Sequence, residues 1–127
     1  MSLAFEPSER VIRVPVKAWG PKEPLIGLLL LDTGAEGTLL SPRFLTDLGY
    51  DLASVTDTVD LFSVSGAATA PRVKVQRLEA LGHRRNNFTV TAFAPHLKAN
   101  VDGVLGVDFL LGCKLTIDFR LGLVTLE

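Results

Sequence analysis

The chain has 127 residues, enough for one hydrophobic core and too few for two independent ones. Hydrophobic residues make up 47% and charged residues 21%, the balance of a packed domain, and the single Cys113 excludes an intrachain disulfide. A formal net charge of −1 speaks against a nucleic-acid or anionic-membrane partner, since both call for a basic excess.

The start, Met1 to Glu6, lacks the basic and apolar regions of a secretion signal. The longest apolar run, Leu25 to Leu31, is far too short to span a bilayer. The expectation is a cytoplasmic protein with no membrane segment, residues 1–127 forming one domain.

Short apolar stretches recur between turn residues, which is an all-β pattern. In Val11 to Lys17, Ile12, Val14 and Val16 share one face and Arg13, Pro15 and Lys17 the other, predicting a half-buried strand. Pro15 cannot donate to a ladder, so this strand is expected at a sheet edge. After the turn Gly20 to Pro24, Leu25 to Leu31 reads as a strand buried on both faces. One helix is well signalled: Ser41 caps, Pro42 takes the first position, Phe44, Leu45 and Leu48 form the apolar face, and Gly49 stops it.

Val59 to Ser63 and Arg72 to Gln76 flank the small-residue stretch Ser65 to Thr69, predicting a hairpin with a mobile tip. A strand over Phe88 to Phe93 is expected to follow a turn at Gly82 to Asn87. Val107 to Leu111 makes a short helix stopped at Gly112, and Leu115 to Phe119 with Leu123 to Leu126 a final hairpin.

The informative stretch is Leu29-Leu30-Leu31-Asp32-Thr33-Gly34-Ala35, an apolar strand that ends abruptly in a carboxylate. Burying a lone carboxylate is costly, so Asp32 needs partners or a function. Gly34 permits a close approach of another chain or ligand. Taken alone, the triplet is better read as an Asx-turn at a strand end. A second stretch, Asp102-Gly103-Val104-Leu105-Gly106-Val107-Asp108-Phe109-Leu110, places an apolar pair before a glycine and a short helix.

Together these stretches resemble the retropepsin-like aspartic proteases, the family of retroviral proteases and their cellular relatives. Leu30 to Ala35 matches that family's apolar pair and Asp-Thr-Gly-Ala, Ser63 to Thr69 its flap, and Val104-Leu105-Gly106 its apolar-apolar-Gly segment. The resemblance implies a small closed, barrel-like all-β subunit with a flap hairpin and one or two short helices.

It further implies an aspartic endopeptidase acting as a homodimer on a peptide or protein substrate, with neither cofactor nor metal. Asp32, Thr33 and Gly34 would be catalytic, and Ala35, Ser65, Gly66 and Val104 would contact substrate. Two carboxylates, one Asp32 from each protomer, share a proton and a water in such a site. Two positions depart from the pattern. The flap carries one glycine, Gly66, beside Ala67 and Ala68, and Val107 stands where retroviral enzymes place an arginine opposite the carboxylate of Glu36.

Of the remaining residues, His83 and His96 read as solvated loop positions and Cys113 as a packed thiol. Trp19 either caps the core or touches substrate, and the sequon Asn87-Phe88-Thr89 has no secretion signal to use it. The competing function is a peptide- or protein-binding module on the same fold, with little or no proteolytic activity.

Overall fold

The computed structural model describes residues 1–63, 66–94 and 100–127. Its strands are β1 (Ser2–Ala4), β2 (Arg13–Trp19), β3 (Leu25–Leu31), β4 (Leu39–Leu40), β5 (Thr58–Ser63), β6 (Gly66–Ala80) and β7 (His83–Ala92). β8 (Gly103–Leu105), β9 (Leu115–Asp118) and β10 (Leu123–Leu126) follow, with helices α1 (Pro42–Asp47) and α2 (Val107–Leu110).

Alternating side chains let one sheet close on itself. β2 pairs antiparallel with β3, β3 parallel with β8, β8 antiparallel with β4, and β4 parallel with β7. β7 then pairs antiparallel with β6, which returns to β2 and completes a ring of six strands. β5 extends the ring outward as the partner of β6. β1, β10 and β9 form a separate antiparallel sheet in that order. The all-β closed barrel with short helices is thus the architecture expected from the sequence.

The ring encloses Val14, Val16, Leu29, Val75, Leu78 and Val90, with Leu45, Leu48 and Phe109 packed from the helices and all nearly inaccessible to solvent. Complete burial of each such aliphatic or aromatic side chain contributes about 1.5–3 kcal/mol. α1 follows its sequence signals closely. Ser41 Oγ accepts from Phe44 N–H at 3.2 Å, and Gly49 ends the helix at φ +102. Tyr50 N–H then returns to Leu45 O at 3.1 Å.

Several expectations are corrected. β3 is not buried on both faces: Gly27 and Leu29 point inward, while Ile26 is 74% and Leu28 38% exposed. A barrel wall has an outside, and no layer of the described residues covers it here. Nor is β2 an edge strand, since it pairs on both sides. Pro15 is tolerated because the even-numbered residues bond toward β3 (Ile12 O accepts from Leu31 N–H), which directs its ring nitrogen toward β6. There the pairing begins only at Val16.

The turn expected at Gly82 to Asn87 is shorter. Ala80 pairs with His83, and Leu81 (φ 52) with Gly82 (φ +79) makes a two-residue turn with both central residues in the left-handed region. The polar run after it is strand. Ala67, Ala68 and Thr69 likewise belong to β6, paired with Phe62, Leu61 and Asp60, so they are no part of a loose tip. The N-terminal strand β1 had no periodicity by which to be read.

Candidate active site

Where β3 ends, the chain turns at once and its backbone is held from three directions. Asp32 N–H donates to Leu105 O at 3.1 Å, Ala35 N–H to Asp32 O at 3.2 Å, and Gly34 N–H to Asp32 Oδ1 at 2.8 Å. The last bond fixes one carboxylate oxygen. Oδ2 has no partner among the described residues. Asp32, Thr33 and Gly34 are all exposed within the chain, so the carboxylate carries none of the burial cost expected from the sequence. Beside them lies a cavity of 360 Å³ lined in part by Ile12, Leu31, Ile117 and Phe119.

The rest of the loop is locked to the segment around α2. Val107 N–H donates to Ala35 O at 2.8 Å and Asp108 N–H to Glu36 O at 3.2 Å. Thr38, only 1% exposed, gives its N–H to Asp108 Oδ2 at 3.0 Å and its hydroxyl to Asp108 Oδ1 at 2.7 Å. Oδ1 also accepts from Phe109 N–H at 2.8 Å, and Thr38 Oγ1 accepts from Gly106 N–H at 3.1 Å. Gly106 has to be glycine, because a Cβ there would lie 2.6 Å from the Gly37 carbonyl. Behind the loop, Asp102 ties β3 to the start of β8: Leu28 N–H donates to its Oδ2 at 2.9 Å, and its own N–H to Leu28 O at 2.7 Å.

A family model described as aspartyl protease matches residues 20–109, most of the chain. The chain belongs to the aspartyl protease family. Among solved structures, a retropepsin-like aspartic protease from Rickettsia conorii has the same fold. The two share a TM-score of 0.76 and 19% identity over 99% of this chain and 88% of that one. No curated protein sequence matches.

Val107 offers no guanidinium to Glu36, whose side chain is exposed, and the carboxylate of Asp108 holds the aspartyl protease loop through Thr38 instead. Sequence reading passed over both residues. The available signals were an acid in the first turn of a helix, which tends to bond backbone amides, and a threonine close after the Asp-Thr-Gly.

The residues expected at the site are spread over three places. Asp32, Thr33, Gly34 and Ala35 share one turn, with Ala35 half-buried. Val104 lies opposite Leu30 and Leu39 in the ring and is 5% exposed, lining neither of the cavities that flank the loop. Gly66 opens β6 at φ +122, where an added Cβ would meet nothing within 4 Å among the described residues, and Ser65 lies outside them.

Of the two histidines, His96 also lies outside the described residues. His83 is not a loop residue: it stands in β7, its Nε2 3.2 Å from Leu126 O and its Nδ1 3.7 Å from Cys113 Sγ. Cys113 is packed as expected and also accepts from Arg85, whose guanidinium caps the Phe109 and Leu111 carbonyls. Trp19 is held between Lys17 and Arg77, 5.0 and 4.9 Å from its ring centroid. Its carbonyl accepts from Tyr50 Oη at 3.0 Å, and burial pushes that hydroxyl above its ordinary pKa. Among the described residues no helix is long and apolar enough to cross a membrane.

Proposed function

We propose that this chain is an aspartic endopeptidase whose active species is a twofold homodimer. The observation that carries the reading is Asp32 itself: one oxygen is anchored by the Gly34 amide at 2.8 Å, and the other is open to solvent at the chain surface. A carboxylate fixed in orientation yet left unneutralised is poised to meet a second one. A symmetric partner supplies it, because the chain has one Asp-Thr-Gly. Phe119 and Leu121, each 66% exposed, add an apolar surface next to the Asp32 cavity that a partner would cover.

Two such carboxylates repel and so share one proton. The ionised member takes a proton from a water as it attacks the peptide carbonyl, and the protonated member polarises that carbonyl. Collapse of the tetrahedral intermediate then returns a proton to the leaving nitrogen. Thr33 would bond across the twofold axis. Substrate would lie extended between flap and loop, contacting Ala35, Gly66 and Ser65, with the buried Val104 supporting the loop from within the ring, and pairing through its backbone like an added strand.

The test is cleavage of a diverse peptide library by the protein and by Asp32→Asn, with specific activity followed on dilution. Cleavage should vanish in the variant, whose carboxamide cannot share the proton, and fall as the dimer dissociates. Undiminished cleavage by Asp32→Asn would refute the mechanism. Peptide binding without cleavage by the unmodified dimer would make the chain a binding module.

A further inference from the structure

The Asp-Thr-Gly loop has a second side. Ala35 to Leu39 run under the root of the β5–β6 hairpin and form one wall of a 560 Å³ cavity. Leu39, Val59 and Leu61 give it an aliphatic lining, and Thr89 and Thr91 close it from β7. Its charged groups are Glu36, Asp60, Asp108 and Arg72.

These charges do not balance. Asp108 is occupied by the Thr38 and Phe109 donors. The Arg72 guanidinium, in an exposed pair with Asp57 at 3.8 Å, is one cation facing three carboxylates, which leaves the cavity with a surplus of two negative charges. Asp60 accepts only from Thr69 Oγ1, at 3.3 Å, and the Glu36 carboxylate accepts nothing among the described residues. The cavity therefore combines an apolar wall with two uncompensated carboxylates. A side chain with an aliphatic stem and a cationic head satisfies both. A neutral side chain fills only the first, and an acidic one meets repulsion.

We propose that this cavity is a substrate subsite that selects lysine or arginine, with Glu36 and Asp60 as the residues that determine the preference. The inference rests on the reading of the chain as a peptide-processing aspartyl protease and names the chemistry of its substrate. Both carboxylates are exposed, so each pairing is modest, and together they give about a fivefold preference for a cation over a neutral side chain of the same length.

The experiment uses peptides identical except at one position, which carries lysine, norleucine or glutamate in turn, scanned along an extended substrate. Binding is read by fluorescence anisotropy on Asp32→Asn protein, and cleavage on the unmodified chain. At one position lysine should bind about fivefold more tightly than norleucine, and glutamate least. That ratio should approach one when Glu36→Gln and Asp60→Asn are added, and glutamate should bind best when both are replaced by lysine. Added salt should weaken lysine binding more than norleucine binding.

The inference is overturned if lysine is preferred nowhere, if its preference survives the neutralising pair, or if no peptide binds. A lysine preference that depends on both carboxylates, in a chain that cleaves nothing, would sink the protease reading and leave the subsite standing.

Discussion

Replacing Asp108 by alanine tests whether the loop is held as described. The change removes three hydrogen bonds to an ionised acceptor, from Thr38 N–H at 3.0 Å, Thr38 Oγ1 at 2.7 Å and Phe109 N–H at 2.8 Å. Bonds to charged groups contribute about 1.5–3 kcal/mol each, but their losses do not add, because water and small shifts recover part of them. Recovery is limited here, since Thr38 is only 1% exposed and its two donors would be left unpaired. The net cost should be about 3–5 kcal/mol, a large share of the stability of a domain this size.

Asp108→Asn retains one acceptor oxygen but turns an NH2 toward the Thr38 amide, so it should cost about 1–3 kcal/mol. Urea unfolding followed by the fluorescence of Trp19, the sole tryptophan, at one fixed protein concentration reads both values. A loss below about 1 kcal/mol for the alanine variant, or equal losses for the two, would refute the bracing role.

Gly106→Ala pushes a Cβ to within 2.6 Å of the Gly37 backbone, which cannot swing aside as a side chain would; a loss of about 3 kcal/mol is expected, and an unchanged urea midpoint would contradict the packing. Ser41→Ala removes the cap on Phe44 N–H and should cost about 1 kcal/mol by the same measurement. For Tyr50 the sign follows from burial, which raises its pKa above 10.0 in the folded chain. The folded state then holds the phenolic proton more tightly than the unfolded one, so the contribution is complete below the unfolded value and is lost as pH rises through the folded one. Stability should fall on that alkaline side more steeply than in Tyr50→Phe, and parallel curves would count against the burial of the hydroxyl.

Much of the barrel could be read from residue patterns, since an alternating stretch such as Arg13 to Trp19 and a capped helix such as Pro42 to Asp47 carry their own instructions. Elements that depend on tertiary partners could not. Leu81 occupies a left-handed turn position that local chemistry reserves for asparagine or glycine, and its burial at 3% exposure offsets the strain. The all-apolar Leu25 to Leu31 gave no hint that Ile26 and Leu28 would face outward, because a continuous run has no period to read. At the site, the Asp-Thr-Gly turn was legible as a local motif. The Thr38–Asp108 pair, 70 residues apart in the chain, was not, for each half is an ordinary polar residue until the fold joins them.

That separation has a consequence for the timing of assembly. The backbone of Asp32 is held by Leu105, and the carbonyls of Ala35 and Glu36 by Val107 and Asp108. During synthesis at about 5–20 residues per second, the loop precedes its support by roughly 4–14 seconds. A nascent chain that has reached only β7 carries the Asp-Thr-Gly on a strand with β2 on one side and β8 not yet made on the other. The loop's geometry is thus assembled only after Leu105 to Asp108 have been made, and whatever chemistry it performs is withheld until then.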